Sequence, residues 1–350
     1  MTNERLASLD LLRSIAILLV LIAHIVLGFG APASLAPLQL GGIGVDLFFV
    51  LSGWLLGGQL FSEAVHNDRI NVLRFWYRRW MRTLPAYYAV LGALSLQQLL
   101  TKESWALPLD YLFFLQNYNQ PLEIFHVSWS LAVEEQFYLV IAPAIGALWI
   151  LPRKVRLAIV ILVLVSPSLF RYLDLYTNTL QTHVRIDGCI AGVLLAYIRS
   201  QHTELWIRLC SFSTPLFMIS STFFALYFIQ RYFPMEWLSD PGIFERALIF
   251  SSWLLFAVNN SRSLIWKVWG SKYIATRSYS LYLLHPIAIA IFNKVDYAFG
   301  FSVYMVSVFL LSLFMSEILY RTVELKFLRL RSRYRMFESE TGSVKSDLKK

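Results

Sequence analysis

The stretch "SLDLLRSIAILLVLIAHIVLGF", residues 8–29, has the length and apolar content of a membrane-crossing helix, which needs about 20 mostly apolar residues. It also carries Asp10, Arg13 and His24. Ionisable groups are costly in hydrocarbon, and in a spanning helix they face the bundle interior or a water-filled cavity. The segment therefore reads as one helix among several and not as an isolated anchor. It lacks a small-residue cleavage site, so it is expected to be retained, with the chain beginning at or near Met1.

The rest of the chain agrees. Of 350 residues, 57% are hydrophobic and 15% charged, against roughly 25% charged in an ordinary soluble domain. Apolar blocks recur from residue 9 to residue 320, which leaves no stretch for a second globular domain. Spans are expected near 9–29, 43–60, 84–100, 133–151, 157–170, 187–198, 212–230, 246–258, 279–293 and 301–320. The fifth, sixth and eighth are short. The expected fold class is all-α: a polytopic bundle of about ten transmembrane helices, forming one domain over 1–330. Residues 331–350 read as a basic and polar cytoplasmic tail without a packed core.

The formal charge of +9 is a matter of topology. Counting Arg246 at the mouth of its span, 24 Lys and Arg fall in segments on one side of the bilayer and 6 on the other. Basic loops stay cytoplasmic, so both termini are expected there, and nucleic-acid binding drops out as an explanation of the charge. Cys189 and Cys210 have neither CxxC spacing nor neighbouring ligands and read as structural thiols.

On the first helix, Arg13 and His24 lie about 20° apart and Asp10 within about 60° of both, so the three share a stripe. One reading is an Asp10–Arg13 pair at the membrane edge with a hydrogen-bonded core histidine. The other is functional. Eleven residues place His24 about 16 Å deeper than Arg13. A rod-shaped ligand, anionic at the cytoplasmic end and reactive at the other, would fit that axis, with arginine clamping the anion and neutral histidine acting as base.

Arg13 followed by ten residues and then His24, within "LDLLRSIAILLVLIAH", resembles the first helix of the membrane acyltransferase 3 family, which O-acylates surface glycans such as O-antigen. Five more segments agree in order: "GGIGVDLFFVLSGWLL" (41–56), "FWYRRWMRTLPAYY" (75–88), "WSLAVEEQFYL" (129–139), "HVRIDGCIAGVLLA" (183–196) and "SYSLYLLHPIAI" (278–289). "YRTVELKF" (320–327) fits the closing segment more loosely. The resemblance covers about residues 6–330. The short tail leaves no expected room for the extracytoplasmic hydrolase-like domain that some members carry.

The resemblance implies that Arg78, Arg79 and Arg82 hold the phosphates of an acyl-coenzyme A beside Arg13, as guanidinium forks suit phosphate oxygens. Positive-inside anchoring explains the same cluster without a ligand. The family match favours Glu135 over Glu134 as the functional carboxylate, either accepting a hydrogen bond from the acceptor sugar or orienting His24; a dipole-stabilised residue at a helix start is the alternative. Asp10 is expected to position Arg13. Asp46, Trp129, Ser130, Arg185 and Asp187 are acceptor-side candidates, although Asp46 can instead pair with a basic partner, Trp129 can be an interfacial anchor, and Arg185 and Asp187 can simply pair with each other. Ser52 and Gly53 read as a close helix contact. His285, just before Pro286, reads as satisfying a carbonyl or a tyrosine, with a functional role open.

No histidine is followed by Asp at the fifth position, no G-x-S-x-G elbow occurs, and no H-E-x-x-H metal site is present; a metal is not expected. The function expected from the resemblance is transfer of an acyl group, acetyl above all, from cytoplasmic acyl-coenzyme A as co-substrate to a hydroxyl of a surface carbohydrate or its lipid-linked precursor. Direct attack with His24 as base and an acyl-His24 intermediate both remain open. The expected place is a bacterial inner membrane. The rival is a transporter using Arg13, His24 and Glu135 as a relay.

Overall fold

The computed structural model describes residues 6–102, 109–233, 235, 238–294 and 300–331, and among these it is helical throughout, without a strand. The tail expected over 331–350 lies outside the described residues beyond 331. Twelve α-helices follow one another: α1 (Ala7–Gly28), α2 (Gly44–Asn67), α3 (Val72–Thr101), α4 (Leu109–Leu112), α5 (Ser128–Trp149), α6 (Arg153–Tyr172), α7 (Asp187–Gln201), α8 (Thr203–Ser211), α9 (Ser213–Gln230), α10 (Ile243–Asn259), α11 (Ser271–Phe292) and α12 (Phe301–Leu319). Each expected span falls on one of them; α4 and α8 are the short extras.

Among the described residues five helices are long and apolar enough to cross a membrane: α1, the continuous Ala33–Asn67, α5, α6 and Phe301–Arg331. The pair α8 and α9, bent by 56°, would be a sixth. The others fall short for visible reasons. α7 and α10 have 15 and 17 residues, α3 carries four arginines, and α11 contains Lys272, Arg277 and His285. A helix packed inside a bundle tolerates such residues because protein, and not lipid, surrounds them.

Side-chain contacts fix the helix directions. Ser14 donates to the Ser271 carbonyl at 2.7 Å and His24 meets His285 at 3.3 Å, so α1 and α11 run parallel. Asp46 meets Arg185 and Phe61 stands edge-on to Tyr197, so α2 and α7 run parallel as well. Arg171–Asp187 at one end and Tyr197–Arg153 at the other make α6 antiparallel to α7. Arg277–Glu317 and Tyr304–Asn293 do the same for α11 and α12. With α4 and α8 set aside, the remaining ten helices alternate in direction wherever these contacts test them.

The closest approach is between α2 and α7. A Cβ on Gly53 would lie 1.9 Å from the Cys189 carbonyl oxygen, and one on Gly192 would lie 2.2 Å from that of Val50. Small residues here let the two backbones touch, the usual device of membrane helix pairs. Gly53→Ala should therefore force the pair apart and cost about 1–3 kcal/mol, as overpacking does. Gly58 faces open space, so Gly58→Ala should leave the thermal melting of the purified protein in detergent unchanged or raised. Equal melting temperatures for the two variants would contradict this reading of the contact.

α3 begins earlier than hydropathy indicates. The Asn71 side chain caps it by accepting from the Arg74 amide at 2.9 Å, and no glycine or proline interrupts it before Pro85. The arginines expected in a loop thus stand on its first turns. Their aliphatic stems pack while their heads point to the cavity or the surface.

Candidate active site

α1, α2, α3, α5 and α11 enclose a cavity of about 910 Å³, open solvent at its mouth included. Arg13, Gln59, Arg79 and Arg82 line one end, and Phe49, Ser130 and Tyr282 the other. Arg79 lies with its guanidinium 4.2 Å from the Tyr138 ring centroid and donates through Nη2 to the Tyr138 hydroxyl at 2.6 Å. Its buried Nε has no partner. A buried donor left unpaired costs free energy, and an anion in the cavity would relieve it. Arg78 is exposed, and Arg74 pairs with Glu63 at 2.8 Å. Of the basic cluster, then, Arg79 and Arg82 face the cavity, Arg78 faces outward, and Arg74 is an anchoring charge.

The cavity carboxylate is Glu134. Its Oε1 accepts from Ser52 at 2.9 Å and its Oε2 from Tyr138 at 2.7 Å, which joins Arg79, Tyr138, Glu134 and Ser52 in one network. Glu135, about 100° further round the helix, is absent from the cavity wall; it is buried with Oε2 unpartnered. Asp10 is buried and lines a separate recess with Lys267 and Lys272.

His24 stands beyond the far end of the cavity. It is partly exposed, and its Nδ1 lies 3.0 Å from the Val20 carbonyl oxygen and 3.3 Å from Nε2 of His285. His285 is fully buried, its ring centroid 5.7 Å from that of Tyr282. Tyr282 and Ser130, joined by a 2.6 Å hydrogen bond, close the cavity, so Tyr282 and His285 stand between the cavity and His24.

The acceptor-side candidates separate into two ion pairs. Arg185 holds Asp46 with both nitrogens, at 2.7 and 3.2 Å, and Arg246 approaches the same carboxylate at 3.6 Å. Asp187 is held by Arg171 at 2.7 and 2.9 Å. Arg185 and Asp187 therefore do not pair with each other: Arg185 precedes α7, Asp187 opens it, and the antiparallel α6 brings Arg171 onto the latter. Trp129 stands edge-on to Phe49 and 5.3 Å from the Arg185 guanidinium. No cluster of three metal-ligating side chains occurs among the described residues.

A basic cavity lies beside the Arg13 helix, with His24 about three turns along and outside it, behind Tyr282 and His285, and the profile described as "Acyltransferase domain" matches residues 6–321. The chain belongs to the acyltransferase 3 family. Among its relatives are O-acetyltransferase OatA of Staphylococcus aureus strain NCTC 8325 / PS 47 and of strain COL, each 28% identical over 354 aligned positions that take in 91% of this chain and 56% of the relative. Another protein of strain COL, which carries the O-acetyltransferase name provisionally, is 28% identical over 359 positions with the same coverage. The chain thus spans somewhat over half the length of these relatives. No solved structure matches.

In this member of the acyltransferase 3 family, sequence reasoning passed over several side chains at the cavity or just behind its wall. Tyr138, four residues after Glu134, had a findable signal, since residues at i and i+4 share a helix face. Tyr282 is three residues before His285 on the same helix. Glu324 had none. A π-turn at Tyr320–Glu324 shifts the helical register and turns this carboxylate inward to bond the Ser280 hydroxyl, within electrostatic reach of Arg82.

Proposed function

We propose that this chain is an integral-membrane O-acyltransferase that moves an acetyl group from cytoplasmic acetyl-coenzyme A to a hydroxyl of a surface carbohydrate or its lipid-linked precursor. The observation that carries the reading is the cavity with Arg13, Arg79 and Arg82 at one end, in a member of the acyltransferase 3 family whose relatives are named O-acetyltransferases. Ten alternating helices with both termini in the cytoplasm are the topology proposed with it, residues 1–330 forming the membrane domain and 331–350 a basic cytoplasmic tail, in a bacterial inner membrane. The lysine and arginine distribution supports this orientation, since it puts the arginine end of the cavity on the cytoplasmic side.

The donor's phosphates lie at Arg13, Arg82 and the unpartnered Nε of Arg79, with Arg78 at the mouth. Its acyl arm runs along α1 toward Ser130 and Tyr282, and rotation of the Tyr282 ring admits the thioester to His24. The acceptor hydroxyl comes from the outer face, where His24 is partly exposed. His24 Nε2 takes the hydroxyl proton as the oxygen attacks the thioester carbonyl; the C–S bond then breaks, and the departing coenzyme A thiolate is protonated by the imidazolium. Asp46, Arg185, Asp187 and Trp129 shape the acceptor side. Glu135 holds the packing of α3 and α5, while Glu134 and Tyr138 orient Arg79.

Purified protein in nanodiscs, given acetyl-labelled acetyl-coenzyme A and a panel of surface-glycan fragments, should label glycan. Movement of unmodified glycan across vesicles, with no labelling, would establish the transporter instead. Arg13→Ala removes a charged hydrogen-bonding partner worth about 1.5–3 kcal/mol. It should weaken donor binding by about tenfold to a hundredfold, read as a rise in KM for acetyl-coenzyme A at unchanged melting temperature. An unchanged KM would take Arg13 out of the donor site.

A further inference from the structure

We infer that His285 is a positioning residue: it fixes His24 in the tautomer whose Nε2 carries the free lone pair, and it supports the positive charge when His24 takes up a proton. The inference rests on the function proposed above and adds a residue to it.

Hydrogen-bond bookkeeping gives the tautomers. A backbone carbonyl only accepts. His285 Nδ1 lies 3.1 Å from the Leu281 carbonyl oxygen, so Nδ1 carries the ring proton and Nε2 the lone pair. That lone pair is aimed at His24 Nδ1, 3.3 Å away, and Nδ1 also lies 3.0 Å from the Val20 carbonyl oxygen. Two acceptors thus converge on His24 Nδ1. A proton on Nδ1 satisfies both in a three-centre bond. The opposite tautomer would set three lone-pair atoms against one another with no proton between them. His24 Nε2 is left as the basic atom, free for the acceptor hydroxyl, because the hydrogen bond made by one ring nitrogen determines the state of the other.

The arrangement also suits the charged state. When Nε2 gains a proton, the Nδ1–H becomes a cationic donor, and hydrogen bonds to ionised groups are about twice as strong as neutral ones. His285 Nε2 is then a neutral acceptor already in place. Packing alone does not require a histidine there: the side chain is fully buried in contact with Tyr282 and His24, where a leucine would fill similar space without a polar atom to satisfy.

Two nearly isosteric substitutions separate the role from packing. In His285→Gln the amide oxygen can stand where Nε2 stands and still accept from His24. In His285→Asn the shorter amide reaches only the Nδ1 position and can serve Leu281 but not His24. With acetyl-coenzyme A as donor and coenzyme A thiol release in the presence of the glycan panel as readout, His285→Asn should lower kcat about tenfold to a hundredfold, the scale found when the hydrogen-bond partner behind a metal-bound histidine is removed. KM for acetyl-coenzyme A should not change, and His285→Gln should recover most of the rate. Independently of turnover, solid-state nitrogen-15 spectra of histidine-labelled wild type in lipid, with the His24 signals assigned through His24→Gln, should show a protonated Nδ1 and an unprotonated Nε2. A wild-type His24 protonated on Nε2 would overturn the inference even if no variant folds. So would an unchanged kcat in His285→Asn while His24→Ala is inactive, and this result leaves the acyltransferase reading standing. Full activity in His24→Ala would remove that reading and this one together.

Discussion

His24→Ala should lower kcat for glycan acetylation by about 10²–10⁴-fold, the contribution of a positioned general base. The loss should fall on turnover alone. Arg13, proposed to hold the donor phosphates, lies at the other end of α1, about 16 Å away along the axis, so KM for acetyl-coenzyme A should hold. Folding should hold too. His24 is partly exposed, and its one bond to the main chain is to Val20 of its own helix. Removing it leaves His285 with an unpartnered Nε2, a cost of about 1–3 kcal/mol that a water entering from the exposed side can offset. Rate and melting temperature measured on the same preparation check the prediction. A kcat within threefold of wild type, in protein that melts as wild type does, would leave the transferase without its base.

How much of this was legible in the sequence follows from what each signal depends on. The helices were legible because the apolar blocks are long, and α1 with its charged stripe stated the bundle outright. The basic cluster was legible as a group but not residue by residue: Arg78 and Arg79 are neighbours, and only the docking of α3 against Tyr138 decides that Arg79 turns inward. Which of Glu134 and Glu135 lines the cavity was not legible for the same reason, since two carboxylates one residue apart differ by a rotation that the sequence does not record. His285 was visible as a polar residue beside a proline. Its closeness to His24 depends on α1 and α11 running parallel in contact, a fact about two helices 261 residues apart in the chain. The ion pairs were misread most plainly where the nearest charge in sequence, Asp187, was offered to Arg185. Tertiary packing brought Asp46 from 139 residues away.

That last pair carries the largest expected effect on stability. Asp46 is 2% exposed and Arg185 5%, and Arg246 shares the same carboxylate. Asp46→Ala would leave two guanidinium groups facing each other with the charge between them gone, and breaking a buried pair from one side costs about 3–5 kcal/mol. The variant should accumulate poorly, and its unfolding transition in detergent should move to lower temperature by far more than that of Gly53→Ala. Replacing both partners tells pairing apart from packing. Asp46→Leu with Arg185→Met removes the stranded charge and keeps apolar volume, so it should recover most of the lost stability, as buried pairs exchanged for hydrophobic residues often do. If the double variant is as unstable as Asp46→Ala, the pair is not what holds α2 to the start of α7. A recovered fold with glycan acetylation still absent and equilibrium binding of acetyl-coenzyme A unchanged would place the acceptor at this pair, because neither residue lines the cavity proposed for the donor.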